Sequence, residues 1–473
     1  MEQAINAINN VIWSNALIIL CLAVGIYFSF ATGFLQVRYL KDMVKLLFGG
    51  GASNKGVSSF QAFALALSGR IGTGNIAGVA TAIAMGGPGA VFWMWLIAFL
   101  GSASAYVEAT LGQLYKEVKD GQYRGGPAFY IEKGLGVKWY AVVFAIATIL
   151  STALFLPGVQ SNSIALSSLA AFSIPVEYTG AGLVVLLGLI IIGGVKRIAK
   201  VAEVVVPFMA GGYILLALLI IAYHFNEIPE VFALIFKSAF NFEPAFAGVI
   251  GMAIAWGVKR GIYSNEAGQG TAPHAAAAAE VSHPAKQGLV QAFSVYVDTL
   301  FVCTATAFMI LFTGKYNVQH PEGGYIVENI PGAEIGPAYT QQAIAAHFPA
   351  IGGPAVAIAL LFFAFTTIMA YYYMAETNLS YLDKKGRQKW AVWLLRLLIL
   401  AATYYGTVKT AAVAWTLGDI GVGLMAWLNL IAILLLRKPA LKALKDYRQQ
   451  KKAGKDPVFK SGDHQILGAE HWK

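Results

Sequence analysis

Two stretches of the chain combine residue types that sit poorly in a lipid-facing helix. The first is Ser68-Gly69-Arg70-Ile71-Gly72-Thr73-Gly74-Asn75-Ile76-Ala77-Gly78, in which an arginine and an asparagine stand among glycines. The second is Trp256-Gly257-Val258-Lys259-Arg260-Gly261-Ile262-Tyr263-Ser264-Asn265-Glu266-Ala267-Gly268, followed by an alanine-rich run. A helix that unwinds at such a place frees N–H and C=O groups that hydrocarbon cannot satisfy, so the opened turn must line a cavity. The freed groups are then ligands. N–H donors at the positive end of a half-helix suit a carboxylate, and freed carbonyls suit Na+. Close packing through small residues accounts for the glycines as well, but not for Arg70 and Asn75 between them.

The two stretches also match each other. With Arg70 set on Arg260, Asn75 falls on Asn265, Ala77 on Ala267, Gly78 on Gly268, Thr81 on Thr271 and Ala82 on Ala272. This register predicts an internal repeat, and interrupted helices at corresponding positions of two repeats point to a transporter's midplane site.

The elements that must position these residues are membrane helices. Of 473 residues, 58% are hydrophobic and 12% charged, against about 25% charged in soluble proteins. Runs of roughly 20 apolar residues predict eleven spans: 12–36, 58–84, 88–114, 139–166, 178–194, 203–224, 247–280, 287–313, 353–379, 390–408 and 412–436. The expected fold is therefore an all-α polytopic membrane protein. Its parts are an extra N-terminal helix and linker (1–56), a first repeat (57–246), a second repeat (247–436) and a basic tail (437–473). The two broken spans are five apart, so the second repeat enters the membrane inverted. Met1 to Asn10 carries no basic residue and no cleavage site follows the first span, so that span is expected to be retained.

The net charge of +10 does not mark a nucleic-acid surface. Of its 34 lysines and arginines, 30 fall between or beyond the spans, 27 on one side of the predicted topology and three on the other, and Arg70, Lys259, Arg260 and Arg396 lie within or beside spans. Basic residues resist translocation, which places the N-terminus outside and the tail in the cytoplasm. The longer connections are 37–56, 116–137 and 315–350, the last with a short amphipathic helix near Tyr339 to His347. Cys21 and Cys303 both lie in apolar runs and suggest packing rather than a disulfide or thiolate site. The seven histidines lack metal-ligand spacing, and no phosphate-binding Gly-x-x-x-x-Gly-Lys-Ser/Thr loop occurs, so ATP-driven transport and catalysis have no local support.

Charged groups at membrane depth mark pathways or pairs. Glu108, Asp298, Glu376 and Asp419 are the acidic cases, with Glu108 and Glu376 expected near the cytoplasmic end. Asp298 adjoins the second broken span and is expected either to pair with Arg70 or Arg260 or to ligate a cation. Trp256 and Gly257 are expected where the second helix unwinds, with Ile254 and Met369 helping to wall a small pocket; ordinary packing accounts for these residues equally well.

Further motifs carry a family resemblance. The run Gly72 to Ala80, then Gly86-Gly87-Pro88-Gly89-Ala90 with Trp93-Met94-Trp95, then Tyr123-Arg124-Gly125-Gly126-Pro127, Gly261 to Gly268, Asp298 and Thr366-Thr367 resemble the alanine or glycine:cation symporter family. The resemblance covers most of the chain and weakens in the first span and the tail. It implies sodium-driven uptake of alanine or glycine on the inverted-repeat fold of bacterial leucine transporters, with Na+ as coupling ion, no organic cofactor, and a monomer sufficient for transport. It also implies that Thr73 and Gly74 hold the substrate carboxylate by their backbone N–H groups. Asn75 would reach a sodium near the substrate, in a site that this family does not necessarily keep. Ile71, Thr366 and Thr367 would form another sodium site, although adjacent threonine hydroxyls also bond back to the preceding helical turn. The charged Arg70 and Arg260 depart from the leucine-transporter pattern.

Overall fold

The computed structural model describes residues 2–119, 121–240, 249–383 and 389–472. The boundary expected at residues 246 and 247, the loop cations Lys384, Lys385 and Arg387, and Lys473 lie outside the described residues. Helices α1 (Glu2–Ile12), α2 (Asn15–Ala31), α3 (Leu35–Arg38) and α4 (Leu40–Leu47) lead to α5 (Ser59–Arg70). After a break come a π turn (Gly74–Gly78) and α6 (Val79–Gly86), then α7 (Gly89–Leu114), the hairpin β1 (Glu117–Lys119) and β2 (Gln122–Arg124), and α8 (Pro127–Tyr130). Helices α9 (Lys138–Leu150) and α10 (Leu156–Phe172) run together through a π turn (Ser151–Phe155) and are followed by α11 (Val176–Ile191), α12 (Gly194–Tyr223) and α13 (Ile228–Ala239). The second half holds α14 (Ile250–Asn265), α15 (Ala272–Ala278), α16 (Pro284–Tyr296) and α17 (Thr304–Thr313). A hairpin of β3 (Asn317–Gln319) and β4 (Tyr325–Glu328) precedes α18 (Pro337–Ala345), α19 (Gly352–Leu382), α20 (Lys389–Val408), α21 (Ala411–Leu435) and α22 (Arg437–Lys452).

Among the described residues, eight helices are long and apolar enough to cross a membrane. The spans expected at 58–84, 178–194 and 247–280 are not among the eight. The middle one is α11, of only 16 residues. The other two are interrupted, each at a place the backbone dictates. Helix α5 opens with a capping box between Ser58 and Gln61 and stops at Ile71, whose ψ of 91° leaves the helical region. Helix α14 stops at Glu266, left-handed at φ 55°, and Gly268 and Gly270 follow at φ 83° and 81°. The two breaks therefore do not share the register of the paired arginines. Arg70 is the last helical residue before its break, whereas Arg260 lies well inside continuous helix.

Helix α7 is the hub that α2, α14, α15 and α16 pack against. Its contact with α14 is close because Gly257 and Gly261 face it. A Cβ at Gly257 would lie 2.5 Å from the Ala90 carbonyl oxygen, and one at Gly261 would lie 2.5 Å from Ile97. Trp256 and Gly257, expected where the helix unwinds, thus sit in the middle of α14, where the glycine serves packing.

The tail beyond α21 is not a loose polar extension. Asp446 of α22 accepts from His283 at 3.0 Å, just ahead of α16, and Lys286 pairs with Asp456 at 2.6 Å. The Phe459 amide bonds the Ser282 carbonyl, and Trp472 Nε1 donates to the Gln113 carbonyl at 2.8 Å. The tail therefore straps the ends of α7 and α15 to the start of α16. Burial lowers His283 and His471 from 6.5 to about 4, with Lys286 and His464 adding to the effect at His283 and Lys116 at His471. A histidine held neutral when docked and titrating near 6.5 when free stabilises docking fully above pH 6.5, and that stabilisation is lost as pH falls toward 4. Amide exchange across residues 456–472, corrected for intrinsic rates, is accordingly expected to quicken between pH 7 and pH 5; equal protection at both values would contradict this linkage.

Candidate functional site

The first break exposes oxygen atoms. In a continuous helix the Gly72 amide would bond the Ser68 carbonyl; here it bonds Asn75 Oδ1 at 2.8 Å. The Asn75 amide in turn bonds the Gly72 carbonyl rather than that of Ile71. The released Ser68 and Ile71 carbonyls face α19, where Thr367 Oγ1 lies 2.9 Å from the Ser68 oxygen, 3.3 Å from that of Ile71 and 2.9 Å from that of Phe363. One hydroxyl has one proton and cannot satisfy three carbonyls. Thr366 Oγ1 shares the Phe363 carbonyl at 3.0 Å and otherwise bonds back to Phe362 and reaches the Met209 sulfur. The result is a buried knot of neutral oxygens with more lone pairs than protons, a donor set that fits a hard monovalent cation.

At the same break, the Thr73 amide donates to Gln160 Oε1 of α10 at 3.0 Å, while the Thr73 hydroxyl is buried without a partner. Tyr263 of α14 and Tyr371 of α19 lie beside Gln160. Gly74 stands in a tight place, where a Cβ would come 3.1 Å from Ser264 Cα. The two broken segments thus meet backbone to backbone at Gly74 and Ser264.

Asp298 joins them. It lies at the π turn Val297–Cys303 between α16 and α17, and its Oδ1 accepts from Asn75 Nδ2 at 2.6 Å and from Ser264 Oγ at 3.1 Å. Thr299 donates to its Oδ2 at 2.7 Å. Cys303 Sγ closes the group, 3.4 Å from Asn75 Nδ2 and 3.2 Å from Ser264 Oγ. Asn75 is thereby committed, its oxygen to the Gly72 amide and its nitrogen to Asp298, rather than turned toward a cation.

The second break is held by a residue expected near the membrane edge. Glu108 of α7 is fully buried and accepts from the Gly268 amide at 3.2 Å, the Gly270 amide at 3.0 Å and Asn429 Nδ2 at 2.7 Å. Asn429 also bonds the Gly268 carbonyl, and Tyr130 donates to Asn429 Oδ1. Arg70 lies between the breaks, donating to the Gln291 carbonyl and to Ser294, with Glu266, Glu108 and Asp298 close enough to act on its charge.

Of the expected network of Arg70, Arg260 and Asp298, Arg70 and Asp298 lie near each other without a direct ion pair, and Arg260 stands apart. Arg260 is bidentate to Asp419 at 2.8 and 3.1 Å, and Lys259 reaches the same carboxylate at 2.7 Å. The Arg260 guanidinium is stacked among Trp256, Tyr263 and Trp415, which makes a second, separate cluster. Glu376 pairs with Arg124 at 3.0 Å. Ile254 and Met369 share no wall either: Ile254 packs at the border of the core around α2 and α7, and Met369 in the core formed by α5, α11 and α19. Gln160, Ser264, Glu266 and Asn429 were not expected as site residues. A lone amide or hydroxyl in an apolar span carries no periodic signal, although Glu266 follows directly on Asn265 in the unwound stretch.

Comparison with known proteins decides the family. The model of the sodium:alanine symporter family matches residues 1–461. The chain belongs to that family. It is 64% identical to the putative sodium/proton-dependent alanine carrier protein YrbD of Bacillus subtilis, covering all of this chain and 98% of that one. It is 56% identical to the sodium/proton-dependent alanine carrier protein of Bacillus sp. strain PS3, over 91% of this chain and 97% of that one. The structure resembles a substrate-bound, outward-open sodium-coupled sialic acid symporter with a TM-score of 0.53 at 14% identity, covering 90% of this chain and 87% of that one. That likeness establishes a shared transporter fold. Members of the sodium:alanine symporter family are transporters, not enzymes.

Within this family framework Glu108 has a defined task, to accept the two glycine amides of the second break. Glu108→Gln turns an NH2 group toward one of them and leaves it unpaired, at a cost of about 1–3 kcal/mol. The variant is expected to unfold at lower temperature in detergent and to exchange amide hydrogens faster at residues 266–271; wild-type values for both would refute the clamp.

Proposed function

We propose that the protein is a secondary active symporter that couples inward movement of Na+ to uptake of a small neutral amino acid, alanine or glycine, across the cell membrane. The observation that carries this reading is the oxygen knot at the first break, where Ser68, Ile71 and Phe363 carbonyls converge on Thr367 Oγ1 with Thr366 beside them. Na+ would bind there, shared between α5 and α19. The amino acid would lie next to it, at Thr73 and Gly74. Its carboxylate would replace Gln160 Oε1 on the Thr73 amide and engage the unpaired Thr73 hydroxyl. Gly74 and Ser264, in close contact, would form the floor of that space. Because both ligands touch the segment from Ile71 to Gly74, each would favour the geometry the other needs, which is what coupling requires.

In this reading α5 with α6 and α14 with α15 are the discontinuous helices of two inverted halves, 57–246 and 247–436, behind the extra helix α1–α2, giving eleven crossings. The register of the repeat follows the breaks rather than the paired arginines. The excess of basic residues on the tail side supports a cytoplasmic tail and an external N-terminus. The names of the two Bacillus relatives and the buried carboxyls Asp298 and Glu108 support a second reading, in which a proton accompanies or replaces sodium and one of these carboxyls carries it.

Uptake of labelled alanine into proteoliposomes separates the two. Uptake driven by a sodium gradient at constant pH, and absent in choline or potassium, is expected; equal uptake in all three media would reject sodium coupling. Thr367→Val, which keeps the side-chain volume and removes the central oxygen, is expected to raise the half-saturating sodium concentration at least tenfold, about 1.4 kcal/mol. An unchanged sodium dependence would remove this site.

A further inference from the structure

At the face opposite the tail, two histidines from distant parts of the chain point their Nε2 atoms at each other. His224 ends α12, and His347 follows α18 in the connection to α19. Their Nε2 atoms are 3.0 Å apart, and the rings are 4.9 Å apart at 77°. The other nitrogen of His224, Nδ1, lies 2.9 Å from Glu227 Oε1. With the proton on Nδ1, facing that carboxylate, Nε2 keeps its lone pair, the arrangement found behind metal-ligating histidines. Phe312 stacks on His224 and Tyr223 packs against His347, so both rings are fixed in place, and both residues are half-buried.

We propose that His224 and His347 form a two-histidine site for a borderline divalent cation, of which Zn2+ is the representative, oriented by Glu227 and completed by water. Tetrahedral Zn2+ at 2.0–2.1 Å from each nitrogen sets the two nitrogens about 3.4 Å apart, so the pair needs to part by only a few tenths of an ångström. The site ties the end of α12 to the segment that carries α18. Helix α18 packs on α6 and on the π turn that follows the first break, and Gly336 at its start lies against Ala77. A cation on the two histidines therefore restrains the helix that covers the binding segment, and transport slows when it is bound.

The test is a zinc chloride titration of tag-free purified protein, read by calorimetry and, separately, by alanine uptake. His224→Ala and His347→Ala are each expected to weaken the high-affinity zinc binding of the wild type at least tenfold. Glu227→Gln is expected to weaken it about 10–100-fold while leaving both ligands in place. Saturating zinc is expected to slow wild-type uptake and to leave His347→Ala unaffected. Unchanged affinity in either histidine variant, or no saturable binding by the wild type, overturns the site; wild-type uptake indifferent to saturating zinc overturns the restraint. The calorimetric result stands whether or not the protein carries alanine with sodium.

Discussion

The structure depends on one requirement: backbone opened inside a membrane must be satisfied by the protein itself, at a cost of several kcal/mol for each group left over. Each break meets it with a buried carboxyl from another helix. At the second break Glu108 takes the Gly268 and Gly270 amides, and Asn429 takes the Gly268 carbonyl. At the first, Asn75 folds back on the Gly72 amide and is itself tied to Asp298, which also holds Ser264 from the other broken segment. The amides are thus closed off by side chains, while carbonyls of Ser68 and Ile71 stay directed at α19. This leaves the first break with satisfied donors and a surplus of acceptors.

Arg70 belongs to the same requirement. A charge buried this deeply persists only with compensation, and three carboxyls, from α7, from the second break and from the turn between α16 and α17, surround it. Arg260 answers to a different partner. Its pairing with Asp419 of α21, under a lid of aromatic rings, stiffens α14 on the side away from the tail. The two arginines look equivalent in sequence, yet one stands at the junction of both breaks and the other braces a continuous helix.

The sequence made the membrane character legible, because composition and run length respond only to the surrounding solvent. It also located the first unwound stretch and the neighbourhood of the second, since glycine, arginine and asparagine together cannot form a lipid-facing turn. It misplaced the second opening by about ten residues, at Trp256 and Gly257. The glycines there are demanded by the close approach of α7, and only the positive φ at Glu266, Gly268 and Gly270 distinguishes a break from a packing groove. Pocket walls such as Ile254 and Met369 were illegible for a related reason: an apolar side chain in an apolar helix says nothing about which core it joins. Glu108 was visible as a charge out of place, but its partners are backbone amides 160 residues away, and no side-chain pattern announces those.

One sulfur atom has a practical consequence. The chain contains two cysteines, and Cys21 is packed within α2, whereas Cys303 sits against Asn75 and Ser264, where the two broken segments meet. The natural sequence therefore carries its own chemical reporter at the centre of the molecule. The rate at which a small thiol reagent reaches Cys303 measures how often the junction opens, without any engineered label.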